Sequence, residues 1–278
     1  MLGSAVKQVL DTTANEILTA SRTSGIEFDA LELGTDSLLE AAGLTTEDYV
    51  INCVGLTKAR IDERSAASRA QAVRLNFDFP HDLATAALKR GVKIIQVATD
   101  CVFSGEDGGY SEAVKHDALD VYGKTKSLGE IPLENVMHLR CSLIGPEVGR
   151  SSLFFEWVRQ LPQGAKIDGY VNHLWNGLSS LAFARIVSGV IDSNLFEPGV
   201  QHLVPADSVT KDGLIRLELG ALSRDDVTVV PCSAETGIDR TLSTLNLYLN
   251  ARLFQAAGYE SIPTIAEMVE EACEKLPN

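Results

Sequence analysis

A short apolar run, Val92 to Val97, leads into the stretch on which the fold prediction depends, Val97-Ala98-Thr99-Asp100-Cys101-Val102-Phe103-Ser104-Gly105. Such a run is typical of a buried strand, so we expect Thr99 at its carboxyl end. A second stretch, Tyr122-Gly-Lys-Thr-Lys126, begins a predicted helix. Residues four apart on a helix share one face. A hydroxyl, a phenol and an ammonium are therefore expected to converge at one place.

The chemistry of this trio depends on the pKa of Tyr122, which for a free phenol is about 10. An ammonium close by favours the phenolate, so we expect Lys126 to lower that pKa and make proton exchange easier near neutral pH. Tyr-x-x-x-Lys also occurs by chance on solvated helix faces. Other features of the chain are needed to distinguish a catalytic pair from a solvated helix face.

Composition narrows the class of protein. The 278 residues are 45% apolar and 22% charged, which indicates a globular chain with one α/β domain or one large and one small lobe. The net charge of −14 argues against a nucleic acid or an anionic membrane as partner. We see no signal peptide and no membrane-spanning apolar run. Five scattered cysteines and five histidines without ligand spacing predict a reduced, cytoplasmic protein without a metal.

Strand-like and helix-like segments alternate through the first half of the chain. The predicted strands cover 16–21, 30–33, 48–55, 91–97 and 136–140, with helical stretches between them. This order predicts an α/β fold, a Rossmann-like doubly wound parallel sheet with helices on both faces. After Ser142 the elements become shorter and mixed. We therefore predict a dinucleotide-binding domain at 1–145 and a smaller, mixed C-terminal substrate lobe at 146–278, with some segments returning to the main sheet.

The N-terminus is unusual for such a fold. Met1-Leu-Gly-Ser-Ala-Val6 resembles the end of a glycine-rich turn, with Gly3 as its third glycine. We expect that the first strand and the first glycines are missing, which would leave an edge or a gap in the sheet; an ordinary N-terminal helix is the alternative. Arg22 follows the second predicted strand, where an arginine suits a 2′-phosphate, so NADP(H) is favoured over NAD(H). A surface arginine is an equal alternative.

Further candidate ligand residues lie at strand ends and in loops. The turn Asn52-Cys53-Val54-Gly55 follows a buried strand, where parallel sheets bind ligands. Asn76, on the next helix, either bonds this turn or has no special role. Gly169-Tyr-Val-Asn-His-Leu-Trp-Asn-Gly177 combines aromatic rings with amides, which are groups that bind sugars, so Asn172 and Trp175 become candidates.

Taken together, these stretches resemble the extended short-chain dehydrogenase/reductases, and within them the dTDP-4-dehydrorhamnose reductase group of sugar-nucleotide enzymes. The 97–105 stretch is similar to the family's Ser-Thr-Asp-Tyr-Val-Phe-Asp-Gly. Tyr110-Ser-Glu112 and the Tyr122 motif follow in the expected order, and the Asn52 turn and Asn76 also fit. Asp239-Arg-Thr-Leu-Ser243 resembles a late segment that touches the nucleotide diphosphate. Cys101 stands where the family has tyrosine.

The resemblance implies hydride exchange between NADP(H), or NAD(H), and a carbonyl of a nucleotide-linked sugar. In that scheme Tyr122 is the general acid and Thr99 orients the carbonyl oxygen. Lys126 lowers the tyrosine pKa and, with Tyr122, contacts the nicotinamide ribose. The other predicted cofactor residues are Gly3, Arg22, Asn52, Cys53, Val54, Gly55 and Asn76, and the predicted substrate residues are Cys101, Asn172, Trp175 and Arg240.

Two other functions stay open. An epimerase or dehydratase would use the same scaffold, although a dehydratase needs a carboxylate pair beside the threonine and Cys101 does not supply it. A non-catalytic, NADP-binding regulatory subunit, a type known in this subfamily, is favoured by the absent glycines and disfavoured by the retained Thr99, Tyr122 and Lys126. Helices like those at Ser65 and Tyr122 form dimers in some members, so a homodimer is also considered.

Overall fold

The computed structural model of the protein describes residues 1–32, 34–147 and 153–275. Its strands are β1 (Ala20–Ser21), β2 (Ile26–Glu27), β3 (Tyr49–Asn52), β4 (Lys93–Ala98), β5 (Val136–Arg140), β6 (Leu143–Ile144), β7 (Lys166–Tyr170), β8 (His173–Trp175), β9 (Leu178–Ser179), β10 (Gly199–His202), β11 (Val209–Thr210), β12 (Thr228–Cys232) and β13 (Ile238–Asp239). Its α-helices are α1 (Leu2–Leu10), α2 (Thr35–Ala42), α3 (Ala66–Val73), α4 (Phe79–Leu88), α5 (Val121–Leu128), α6 (Phe154–Arg159), α7 (Ser180–Asp192), α8 (Lys211–Ala221), α9 (Leu247–Ala256) and α10 (Ile265–Glu274).

The main sheet has four parallel strands in the order β3-β4-β5-β10. Helices connect β3 to β4 and β4 to β5, as parallel pairing requires. The last strand comes from the second half of the chain and pairs with β5, Gln201 opposite Leu139. The division of the chain at 145/146 stays a prediction.

Apolar side chains of the sheet point alternately to two cores. Ile94 and Val136 face a cluster with α2 and α4. Ile95, Met137 and Leu139 face a larger cluster with α1, α7, α9 and α10. This period-2 alternation buries both faces of the sheet. The predicted doubly wound α/β class is therefore confirmed.

The N-terminal segment differs in part from the expectation. Within the described residues β1 and β2 pair only with each other, and β3 is an edge strand of the main sheet. The predicted strand at 30–33 is wrong for 30–32, which form a turn because an Asp29 carboxylate oxygen accepts the Leu31 amide. Leu33 lies outside the described residues. The strand here is Ile26–Glu27 instead.

Short strands organise the second half of the chain. β7 pairs with β12, β8 lies between β11 and β13, and β6 pairs with β9. A small apolar cluster of Val158, Ile215, Leu219 and neighbours joins α6 and α8. Across the part of the chain that the structure describes, no helix has the length and apolar character needed to cross a membrane.

A buried arginine connects the two halves of the chain. Arg140, at the end of β5, is 1% exposed. Its guanidinium makes a bidentate ion pair with Glu130 and donates to Nε2 of His116 (2.8 Å) and Nε2 of His202 (2.6 Å). It also lies over the Phe103 ring, 5.3 Å from the centroid. Residues from the loop after β4, from the segment after α5 and from β10 thus share the one cation of β5.

The arginine fixes the protonation state of both histidines. Arg is always a donor, so each Nε2 that it contacts must be an unprotonated acceptor. The proton then sits on Nδ1, which donates to the Ser127 hydroxyl in His116 and to the Ser243 carbonyl in His202, both at 2.7 Å. Burial lowers the pKa of His116 and of His202, and the Arg140 charge lowers both further.

This network predicts a loss of stability in mild acid. The folded protein holds both histidines below their ordinary pKa of 6.5, so below that pH the unfolded chain binds more protons and the free energy of unfolding falls. His116→Gln keeps an acceptor for Arg140 and removes one titrating group. Urea unfolding between pH 7.5 and 5 should show a smaller fall for this variant than for the natural chain. Equal slopes would contradict the prediction.

Candidate active site

The site is built at the carboxyl end of β4. Thr99 follows the strand, and a 3₁₀ turn covers Asp100–Val102. The Thr99 hydroxyl donates to Asp100 Oδ1 (3.1 Å) and accepts the Cys101 amide (3.2 Å). Thr99 and Asp100 are 7% and 6% exposed, and the two hydrogen bonds hold the Thr99 hydroxyl oxygen in position.

Helix α5 approaches this turn closely because of a glycine. Asp120 caps the helix by accepting the Gly123 amide at 2.7 Å. A Cβ atom on Gly123 would lie 2.3 Å from the Cys101 carbonyl oxygen, so no larger residue fits there. The close approach sets Tyr122 against Thr99 and Cys101, whose hydroxyl and thiol both act on the pKa of the phenol. Thr99 and Tyr122 are thus brought together as predicted.

The electrostatics of Tyr122 differ from the expectation. Burial raises the pKa of the phenol, and the neighbouring carboxyl groups of Asp100 and Asp120 raise it further, although the Thr99 hydroxyl opposes this. The prediction that Lys126 lowers this pKa is wrong for the free protein. The Lys126 ammonium is buried and donates to the Val97 carbonyl (2.8 Å), and burial lowers the pKa of Lys126 to about 8.

The turn after β3 is shaped by its own side chains. Asn52 is buried; its amide donates to Gln96 Oε1 (2.8 Å) and its carbonyl accepts the Val54 amide (3.0 Å). Cys53 lies against α1, where a Cβ on Gly3 would be 3.6 Å from Cys53 Cβ. Burial raises the pKa of Cys53 to about 12, so its thiol stays protonated.

Only part of this turn faces outward. Val54 and Gly55 are exposed, whereas the Asn52 side chain is used within the protein. Gly3 lies in the first turn of α1, which has no side-chain cap. Arg22 is exposed and directly follows β1. Gly3 and the exposed turn residues therefore lie close together.

Asn76 forms hydrogen bonds to the segment that follows β3, in agreement with one of the two roles considered for it. Its Oδ1 accepts the Leu56 amide (2.7 Å), and its Nδ2 donates to the Leu56 carbonyl (3.0 Å) and to the Thr125 hydroxyl (3.2 Å). The residue sits in a π-helical segment, Arg74–Asp78, between α3 and α4. It is 1% exposed. Asn76 thus positions the β3 turn against α5 from behind.

The predicted substrate residues are used mainly inside the protein. Asn172 brackets the backbone of Ala234, accepting its amide and donating to its carbonyl at 2.9 Å each. Trp175 is 5% exposed and donates to the Ser142 hydroxyl. Arg240 donates to the carbonyls of Phe103 and Ser104, both at 2.9 Å. Its guanidinium therefore clamps the loop that follows the site.

Cys101 and two residues that the sequence did not indicate, Asp100 and Lys211, lie near the Thr99 turn. Burial raises the pKa of Cys101 to about 12, so the half-buried thiol is neutral. Asp100 is a buried carboxylate whose pKa is raised by burial and lowered by the charges of Arg240 and Lys211. Asp100 belongs to the 97–105 motif, but the motif alone does not predict a role for it. Nothing in the sequence signalled Lys211, because its approach depends on how α8 packs.

Thr99, Tyr122 and Lys126 of this site lie in a part of the chain that matches a known family model. The family model described as the RmlD substrate binding domain matches residues 1–144, which is more than half of the chain. The chain belongs to this family. The match to the RmlD substrate binding domain spans β1 to β6 and includes the β3 turn, Thr99 and the Tyr122 helix. No curated protein sequence matches the chain.

Solved structures share the fold of this RmlD-family chain. A dTDP-4-dehydrorhamnose reductase from Clostridium acetobutylicum is 21% identical, with a TM-score of 0.76 over 98% of this chain and 95% of that one. The Bacillus anthracis dTDP-4-dehydrorhamnose reductase in complex with NADP is 19% identical, with a TM-score of 0.70 over 87% and 84%. A UDP-N-acetylglucosamine 4-epimerase from Methanobrevibacter ruminantium M1, in complex with UDP-N-acetylmuramic acid, is 16% identical, with a TM-score of 0.73 over 99% and 94%.

The position of Asn76 yields a stability prediction. Asn76→Ala leaves the buried amide and carbonyl of Leu56 without partners, and each unsatisfied group costs about 1–3 kcal/mol. We expect the free energy of unfolding to fall by about 2–4 kcal/mol, and the Leu56 amide to exchange faster with deuterium. Gln71→Ala, at an exposed position of α3, is the matched control. Equal stability of the two variants would exclude the positioning role.

Proposed function

We propose that the chain is an NADPH-dependent reductase acting on a keto group of a nucleotide-linked sugar, as in the dTDP-4-dehydrorhamnose reductases. The observation that carries the proposal is the meeting of Thr99 and Tyr122 at the carboxyl end of β4, with Lys126 behind them. In this proposal residues 1–145 mainly bind the dinucleotide and 146–278 mainly the sugar nucleotide. A cytoplasmic location and a homodimer belong to it as predictions from the sequence.

The residues around the β3 turn fit a dinucleotide. Val54 and Gly55 are small and exposed, and the uncapped first turn of α1, with Gly3, lies beside them. Free amides at a helix start and a flat surface of small residues suit a pyrophosphate. Arg22 would meet the 2′-phosphate of NADPH, and Tyr122 and Lys126 the nicotinamide ribose. When bound, NADPH supplies a hydride to the carbonyl carbon.

Tyr122 supplies the proton in the proposed reaction. Because burial raises its pKa, the phenol is protonated at neutral pH and ready to donate. As the carbonyl carbon gains a C–H bond, its oxygen takes the Tyr122 proton and the C=O double bond becomes a single bond. The phenolate that remains takes up a proton from solvent, which restores the acid.

Thr99 orients the carbonyl oxygen. Its hydroxyl proton points to Asp100 Oδ1 in the free protein. Rotation of that O–H bond turns the same proton towards a substrate oxygen, while the Cys101 amide continues to donate to Thr99 Oγ1 and fixes its position. In this proposal Asp100 accepts the Thr99 hydroxyl proton until the substrate oxygen takes its place as the acceptor.

The role of Arg22 is tested by cofactor binding. We expect calorimetry to show NADPH binding more tightly than NADH, because a guanidinium pairs with the 2′-phosphate. Arg22→Ala should weaken NADPH binding about tenfold and leave NADH binding unchanged. Arg64→Ala, at another exposed position, is the control. If neither cofactor binds at millimolar concentration, the enzymatic proposal fails; an unchanged NADPH affinity in Arg22→Ala removes only the role of Arg22.

The role of Tyr122 is tested by turnover. Tyr122→Phe should keep NADPH affinity and lower the rate of NADPH oxidation with a dTDP- or UDP-linked 4-keto sugar by about 10²–10⁴-fold, the usual contribution of a general acid. Tyr248→Phe, at a 73% exposed position, should retain the rate. Sugar interconversion without net NADPH oxidation would indicate an epimerase. Cofactor binding without any turnover would favour the regulatory subunit.

A further inference from the structure

Lys211 lies beside the candidate active site and is held by aromatic rings. It is the first residue of α8, directly after the capping residue Thr210. Its ammonium lies over the Phe154 ring, 4.4 Å from the centroid, and 5.7 Å from the Trp175 ring. The indole is itself fixed by its hydrogen bond to Ser142. Cation–π contacts of this kind position an ammonium without using its N–H groups.

The Lys211 ammonium has no hydrogen bond or ion pair with any residue in 1–32, 34–147 or 153–275. Two other cations near the site are engaged: Lys126 donates to the Val97 carbonyl, and Arg240 donates to the carbonyls of Phe103 and Ser104. A lysine has three N–H donors and its desolvation is costly when they are unused. Half-buried and unpaired, Lys211 has donors available for a ligand.

The groups that face Lys211 do not fully balance its charge. Asp100 and Cys101 lie on the site side and Glu218 on the α8 side. Burial raises the pKa of Glu218 to about 9, and both of its carboxyl oxygens lack partners, so this group is uncharged at neutral pH. The Cys101 thiol is neutral as well. Asp100, the third of these groups, is shared, because Arg240 as well as Lys211 acts on it and its Oδ1 accepts the Thr99 hydroxyl.

We propose that Lys211 binds the diphosphate of the nucleotide-linked substrate. This inference rests on the proposed function and changes one part of it, because the resemblance assigned the diphosphate to the segment of Arg240. In a nucleotide sugar the diphosphate is attached to C1, across the ring from a reacting C4. Lys211 lies near Asp100 and Cys101 and bonds neither, so the residues at the reacting end of the site leave its donors unused. Oxyanions also accept all three lysine donors.

Binding of plain nucleotides tests this role without turnover or cofactor. Calorimetry would compare dTDP and UDP with thymidine and uridine for the natural chain, Lys211→Met and Lys166→Met. Methionine keeps the packing on the two rings and removes the charge, and Lys166 is an exposed lysine of β7. We expect Lys211→Met to bind the diphosphates about tenfold to a hundredfold more weakly, with unchanged nucleoside binding and a weaker salt dependence. Lys211→Arg should restore part of the loss.

The outcomes separate this inference from the proposed function. If the natural chain and Lys211→Met bind the diphosphates equally, Lys211 is not the diphosphate ligand, while the reductase proposal stands. If the natural chain binds no nucleoside diphosphate at millimolar concentration, both fail. A sugar carboxylate is the other anion that Lys211 suits. If Lys211→Met loses affinity only for a UDP-linked uronic acid and not for UDP, the diphosphate assignment is overturned in favour of the carboxylate.

Discussion

The guanidinium of Arg140 is the interaction on which the site depends. A cation that is 1% exposed can be stable only if its donors are satisfied, and here Glu130 and two histidines satisfy them. These partners come from the segment after α5, the loop between the 3₁₀ turn and α5, and β10. His202 also holds the segment around Ser243 through its Nδ1 proton. Removing Glu130 would leave the guanidinium charge uncompensated, and removing a histidine would leave a buried N–H without an acceptor, so the network behaves as one unit.

The hydrogen bonds of Arg140 hold residues of the loop after β4, and the packing of neighbouring side chains and of α5 holds the same loop. Phe103 stacks on Tyr110, with ring centroids 4.3 Å apart, and lies under the Arg140 guanidinium. Gly123 lets α5 press on the Cys101 carbonyl, and Arg240 holds the carbonyls of Phe103 and Ser104. The turn that carries Thr99 is thus constrained on three sides, which suits the role proposed for Thr99, because a donor aimed at developing charge has to be held in place.

The features that depend on the local periodicity of the sequence could be predicted from it. Thr99 at a strand end and Tyr122 with Lys126 on one helix face follow from periods of 2 and 3.6 residues, and the parallel order follows from alternation. The side-chain bonds were not predictable in the same way. Arg240 looked like a ligand residue, yet its carbonyl partners lie in a loop that is distant in sequence. The segment 30–32 was misassigned because one Asp29 side-chain bond favours a turn over a short apolar strand.

The difference between Arg240 and Lys211 is a difference in geometry. A planar guanidinium with several fixed donors can hold two neighbouring carbonyls at once, which suits a loop clamp. An ammonium on a flexible stem can rest on two rings and keep its donors for an anion. The net charge of −14 repels an anionic ligand at long range. A cation whose charge is not fully balanced by its neighbours offsets this repulsion at the binding site. Glu218 is protonated at neutral pH and so leaves the charge of Lys211 available to an anion. An ionised carboxylate at this position would neutralise that charge.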